Sequence, residues 1–284
     1  MITEQQVWDD IWPVVGQAIQ AVLQEDNQAL AQLLIPQALA ADVLDVYGHH
    51  AFGFLLKTVL GRDSLGLTQA VETDNGRALH LEFAWPDPEL GGNRFSGVDL
   101  VSVRLTQVDD SWHIVDINPA GLDAPLSSAR ARAALVTSQI LEEKVEPEPW
   151  LLPLALYSGM MQIQLAETAV RDAVEKLLLP GLQERGYGLI SIVLGRRLWR
   201  DFVEVAAPPL NKPAVWAAAA EYLIAQQEKR EVTQAAVGGH YEVSLPTFLP
   251  RIKQIQKVLN LQPVDERYSD LHTTQIVYED EDDS

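Results

Sequence analysis

Hydrophobic positions early in the chain recur at helical spacing. Val7, Trp8, Ile11, Trp12, Val15, Ile19, Val22 and Leu23 fall on one face of a helix of about twenty residues. Thr3 is suited to cap it and Pro13 to kink it. A second helix is expected over 27–34. Pro36 punctuates, and a third helical stretch runs towards Leu60. After Gly61 the period changes to two. Residues 65–72 and 78–85 read as strands joined by a turn at Thr73-Asp74-Asn75-Gly76, with Leu79, Leu81, Phe83 and Trp85 alternating against His80, Glu82 and Ala84. A polar loop precedes a longer strand over 95–108. Asp109-Asp110-Ser111 turns the chain into a last strand, 112–117, which Asn118-Pro119 ends.

Beyond a linker at 121–125 the pattern is helical. Helices are expected over 129–144, over 161–179 (Ile163, Ala166, Ala169 or Val170, Val174 and Leu177 on one face) and over 189–205. The most specific pattern is 212–261. Pro213 suits a first helical turn, and an alanine-rich helix follows to Gln227. Thr233 and Ser244 are good N-caps for two further helices. Tyr241, Val243, Ile252, Ile255, Val258 and Leu259 supply an apolar face. Gly238 softens the second of these helices and Pro250 kinks the third.

The order predicts an α+β fold: N-terminal helices packed on a curved antiparallel sheet, followed by an all-helical C-terminal region. The expected divisions are an α+β domain over 1–120, the linker, a helical region over 126–211, a helix-turn-helix-like module over 212–261, and an acidic, partly disordered tail over 262–284.

Two resemblances attach to this order. Helices followed by antiparallel strands, with VRLTQVDDSWHIVDINPA over 103–120 as the last hairpin, resemble the nuclear transport factor 2-like superfamily. That resemblance implies a cavity between sheet and helices, in which some members carry an Asp–His acid–base pair. The run T-Q-x-x-V-G-x-x-Y-x-V-S-x-x-T over 233–247 resembles bacterial helix-turn-helix domains. With the preceding WAAAAEYL it also resembles the cyclin-like repeat of the general transcription initiation factor B. The K-P-x-x-W-A-A opening is similar to an uncharacterised bacterial domain family of that shape. The resemblance implies that the helix after Val243-Ser244 is the one offered to a major groove.

Charge changes this picture. The chain carries a net charge of −19, but 212–261 holds six basic and four acidic residues, a net of +2, leaving −21 for the rest. A nucleic-acid binder has a basic footprint. Here it is confined to one module on a repelling body, so DNA binding is expected to be weak. The nucleic-acid candidates are Thr247, Arg251, Lys253 and Lys257; only Thr247 and Arg251 are placed to bond a base edge. Arg196, Arg197 and Arg200 form a second basic cluster, expected as an exposed helix ridge or paired with carboxylates.

Pocket candidates in the first domain are His80, Glu82, Asp99, His113 and Asp116, the alternative being a polar outer sheet face. Adjacent His49 and His50 cannot share a metal, and no metal-ligand, phosphate-loop, dinucleotide or serine-hydrolase motif occurs. No cofactor is expected. There is no cysteine, no run of eighteen apolar residues and no basic leader in MITEQQVWDD; a cytoplasmic protein without a membrane partner is expected. The leading functional reading is a non-enzymatic binding or adaptor protein with a possible small-molecule pocket and a helical region that docks a protein partner or a second copy. The alternatives are a ligand-sensing DNA-binding regulator and a small isomerase or dehydratase.

Overall fold

The structure is a computed structural model that describes residues 3–36, 38–52, 66–73, 77–86, 95–119 and 164–269. The chain divides into two compact units, Met1–Leu165 and Ala166–Ser284. The fold is α+β, with helices and an antiparallel sheet in the first unit and helices in the second.

The first helix, α1, has three pieces: Glu4–Gln6, a π turn at Val7–Ile11, and Trp12–Leu23. Thr3 and Gln6 cap it reciprocally. The Gln6 amide donates to Thr3 Oγ1 at 3.2 Å and the Thr3 amide to Gln6 Oε1 at 3.0 Å. The helix spans the expected length of about twenty residues, with a π turn inside it. Pro13 has no N–H to give to the preceding turn, and the ladder widens just before it, with the Trp12 amide reaching back to the Val7 carbonyl.

Helix α2 is Asn27–Leu33, capped by Asp26, whose carboxylate accepts from the Ala29 amide at 2.9 Å. It stops one residue short of the predicted end because Leu34 is extended. Leu34 bridges to Ile114, and the Ile35 amide donates to the Ile114 carbonyl at 2.9 Å, covering a strand edge. Helix α3, Leu39–Tyr47, ends at Gly48, whose φ of 67° is the left-handed conformation that favours glycine there. The predicted continuation towards Leu60 lies mostly outside the described residues, as do the turn residues 74–76, the linker, and the helix over 129–144.

Strands β1 (Gly66–Thr73), β2 (Ala78–Pro86), β3 (Phe95–Val108) and β4 (Ser111–Pro119) form a four-stranded antiparallel meander in sequence order. β4 extends past its predicted end through Pro119. Asp109 and Asp110 make the tight β3–β4 turn, both at positive φ (49° and 64°), as the primed hairpin turn requires. Leu79, Leu81, Val103, Leu105, Ile114 and Ile117 are buried. α1 and α3 lie against β4. A bulge in β4, where Leu105 pairs with Ile114 but Arg104 with Asp116, keeps both Ile114 and Ile117 on the core side.

In the second unit, a 3-10 turn at Glu167–Ala169 precedes helices α4 (Glu175–Glu184), α5 (Leu189–Ala206), α6 (Pro213–Gln227), α7 (Gln234–His240) and α8 (Leu245–Leu259). The helix predicted over 161–179 is corrected: its described part starts only at Glu175. Asp172 Oδ1 accepts from the amides of Val174 and Glu175 at 2.8 and 2.9 Å, which starts the helix there and leaves the preceding residues non-helical.

α6 is apolar all round and is packed on by α4, α5, α7 and α8. Its alanines 217–220 are fully buried, so the four helices close tightly on its backbone. Trp216 meets Trp199 and Phe202 of α5, with ring centroids 5.8 and 5.3 Å away. The region before α6 and the helix-turn-helix-like module thus share one core. Residues 262–269, grouped by sequence with the acidic tail, also belong to it: Tyr268 is fully buried and its hydroxyl donates to Asp201 Oδ2 at 2.6 Å. Residues 270–284 lie outside the described set. Among the described residues, no helix is long and apolar enough to cross a membrane.

Candidate functional site

The helix-turn-helix-like module begins with Thr233, whose Oγ1 accepts from the Ala236 amide at 3.1 Å and caps α7. Glu242 takes a left-handed φ of 54° in the turn, and the Val243 amide returns to the Gly238 carbonyl at 2.8 Å. Gly238 was expected to soften α7. Its role is instead close approach: a Cβ there would lie 2.8 Å from the Val243 carbonyl oxygen and 3.2 Å from the Phe248 ring.

Ser244 stands at the N-cap of α8, but its side chain does not cap the backbone. Its Oγ pairs with Thr247 Oγ1 at 2.6 Å, and the Thr247 amide bonds the Ser244 carbonyl at 2.9 Å. Pro250 does not break α8, which continues to Leu259. Pro250 removes the bond that would return to the residue 246 carbonyl. Both prolines are exposed, so water can take up the freed group.

α8 buries Phe248, Ile252, Ile255 and Leu259. Its opposite stripe is Pro246, Pro250, Lys253 and Lys257, all exposed and spaced i, i+4, i+7, i+11. Of the sequence candidates, Lys253 and Lys257 therefore fall together on this stripe, and neither forms an ion pair among the described residues. Thr247 is exposed but bonded to Ser244. Arg251 turns inward: its guanidinium lies 4.7 Å from the centroid of the Trp216 ring and its Nη1 donates to Gln254 Oε1 at 2.8 Å. The one arginine suited to bidentate base reading is thus spent on the core.

A buried polar network holds the turn against α4. Glu221, fully buried on the apolar α6, pairs with Arg185 and accepts from the Tyr187 hydroxyl at 3.4 Å. Arg230 lies 3.8 Å over the Tyr187 ring and donates to the carbonyls of Arg185 and Gly186 at 3.2 Å each. Burial, with the Glu221 carboxylate beside them, pushes the hydroxyls of Tyr187 and Tyr241 above the ordinary tyrosine range. Gly181 leaves room for Tyr241 and His240; a Cβ there would collide with the Tyr241 hydroxyl. Sequence reasoning counted Glu221 only as charge. Its signal is a lone carboxylate inside an otherwise apolar helical run.

The exposed ridge expected of Arg196 and Arg200 is corrected. Arg196 is buried: its Nε donates to the Ala169 carbonyl at 2.8 Å and lies 3.6 Å from Glu175 Oε1. Arg200 Nε lies 2.6 Å from the same oxygen. Both thus meet Glu175, a carboxylate distant in sequence.

An open groove beyond α8 is lined by Leu259, Asn260, Gln262, Val264, Asp265, Glu266 and Arg267. Its cation is paired within the groove. Arg267 Nη2 donates to Asp265 Oδ2 at 2.8 Å and to the Leu259 carbonyl at 2.9 Å. The bonds from Arg267 hold the Asp265 carboxyl down to about 2.

In the first unit, strand register places positions 80, 104 and 116 in one row across β2, β3 and β4, position 82 opposite 102, and position 113 opposite 106. By alternation from Leu79, Leu81, Val103 and Leu105, positions 80, 82 and 104 fall on the face away from the buried one; the pairing places 113 and 116 there too. Positions 80, 82, 113 and 116 thus share one face of the sheet by register. Asp99 is not aligned with them: it lies where the β2–β3 register jumps from Ala84–Leu100 to Pro86–Phe95. His113 Nδ1 is 3.1 Å from the Ser111 carbonyl. The His49 and His50 rings meet at a tilt with centroids 4.1 Å apart, and His49 contacts Asn27 Oδ1 through Nδ1 at 3.0 Å; burial, then His50, lowers its pKa. Among the described residues, no group of three His, Asp or Glu side chains is arranged to hold a metal.

No family model, curated protein or solved structure matches the chain.

Proposed function

We propose that the chain is a non-enzymatic binding or adaptor protein whose helical unit docks an acidic protein segment on the exposed stripe of α8. The observation that carries this reading is the pairing of two exposed lysines, without an ion pair among the described residues, with two prolines on that stripe, while Arg251 lies over Trp216. Prolines offer a rigid apolar surface without donors, and lysines act as point charges that do not read base edges in pairs. The first unit is read as a nuclear transport factor 2-like domain, with ligand binding and without turnover. Four of its five polar candidate positions share, by register, the sheet face opposite the buried Leu79, Leu81, Val103 and Leu105, which favours a surface over an enclosed acid–base pair.

The α7–turn–α8 order favours a second reading, a DNA-binding regulator. Titrating the whole chain with an octaglutamate peptide and with random duplex DNA separates the two. The adaptor reading expects peptide binding that Lys253→Gln/Lys257→Gln reduces several-fold, and duplex binding with a log–log salt slope no steeper than about −2. Nanomolar, sequence-selective duplex binding overturns it and promotes the regulator.

A further inference from the structure

We infer that the acidic segment 270–284 of the chain itself docks on the lysine stripe of α8 and competes there with the partner. The inference rests on the docking role proposed for that stripe.

Charge complementarity comes first. Residues 164–269 contain thirteen basic and twelve acidic residues, close to neutral in a chain of −19. Five of those basic groups are engaged inside the unit: Arg196 and Arg200 with Glu175, Arg185 with Glu221, Arg267 with Asp265 and Arg230 with backbone carbonyls. Lys253 and Lys257 stand one helical turn apart on an exposed face, and among the described residues no carboxylate pairs with either. Segment 270–284 holds six acidic residues and no lysine or arginine, five of the six in the run 279–283.

Placement comes second. The strap 262–269 delivers the segment to this end of the unit. Gln227 Nε2 donates to the Gln262 carbonyl at 3.1 Å, its Oε1 accepts from the Asp265 amide at 2.6 Å, and Ser269 Oγ donates to the Gln227 carbonyl at 2.9 Å. The bond from Arg267 to the Leu259 carbonyl sets the strap against the last turn of α8, just beyond Lys257. From Ser269 to Glu279 is ten residues, a reach of up to about 33 Å. α8, at fifteen residues, is only about 22 Å long. The acidic run can therefore lie beside either lysine. A tether of this length gives an effective concentration on the order of millimolar, so even weak docking suppresses a competing anion about two- to tenfold.

The test is a double-mutant cycle in the full-length chain, with an octaglutamate peptide as probe at low salt. One arm neutralises the run (Glu279→Gln, Asp280→Asn, Glu281→Gln, Asp282→Asn, Asp283→Asn); the other is Lys253→Gln/Lys257→Gln. Lys253 and Lys257 are exposed and the other five positions lie outside the described residues; circular dichroism checks each variant's fold. Neutralising the run is expected to tighten peptide binding about two- to tenfold, with the gain abolished by 0.5 M salt and absent from the lysine-neutral chain. No gain, or a gain that persists without the lysines, overturns the inference, because the run then acts only through total charge. If the lysine substitutions leave peptide affinity unchanged even in the neutralised chain, the stripe itself is the wrong surface, and the adaptor reading fails separately.

Discussion

Gly238 sits where the turn between α7 and α8 comes closest to its own helix. Replacing it with alanine forces a methyl into 2.8 Å contact with the Val243 carbonyl, a backbone atom that cannot rotate away. Gly238→Ala is expected to destabilise the helical unit by about 1–3 kcal/mol despite alanine's better helix propensity. Urea denaturation measures this, and an unchanged or raised midpoint contradicts the close-approach account. Asp265 gives a residue-scale pH dependence. Its folded pKa, about 2, lies below the ordinary 3.8 of an aspartate, so the carboxylate stabilises the strap above pH 4 and loses that contribution as pH falls towards 2. The shift is equivalent to about 2 kcal/mol. Asp265→Asn is expected to lower stability by about that much at pH 7. The gap to the unmodified chain should shrink as the pH approaches 2, read by thermal melts across that range.

At the level of elements, two helices depend on groups far away in sequence. Glu175, at the start of α4, holds Arg196 and Arg200 of α5. Glu175→Ala leaves Arg196 buried without its counter-charge, so a loss of about 3–5 kcal/mol is expected. Glu175→Ala with Arg196→Met should recover part of it; failure of that rescue in denaturation experiments would mean the pair is not the reason for the loss. α8 contains a proline in its interior that faces water. Pro250→Ala restores a backbone bond on an exposed face and is expected to stabilise the unit by about 1–3 kcal/mol, measurable as a higher urea midpoint. An unaltered midpoint would mean that the residue 246 carbonyl gains nothing from an intrahelical partner.

For the whole molecule, the division at Leu165/Ala166 implies separate cores. The segment 166–284 expressed by itself is expected to unfold cooperatively, with a midpoint within a few degrees of the corresponding transition in the full chain. A fragment without a cooperative melt would mean that this core needs residues from the first unit. Charge also belongs to this scale. A chain of −19 repels polyanions at long range, and 164–269 is close to neutral because its charges are paired across helices.

The period-two and period-3.6 patterns by themselves determined the α+β class, the limits of β3, the start of α6 at Pro213 and the cap at Thr233, because each depends on contacts within a few residues. The acidic pairing of the second unit was not legible. Glu175 finds Arg196, and Glu221 finds Arg185, only when helices distant along the chain pack together. The same packing turned Arg251 from a base reader into a cover for Trp216 and left Lys253 and Lys257 as the basic residues on α8's open stripe. Tertiary structure also decided that 262–269 is a strap rather than the start of a tail. Tyr268 and Asp265 look like ordinary surface residues until Asp201, Gln227 and Arg267 are brought within bonding distance. Local sequence specifies where a helix begins and which face is apolar; which charges are consumed inside depends on where other helices land, a property of the folded core.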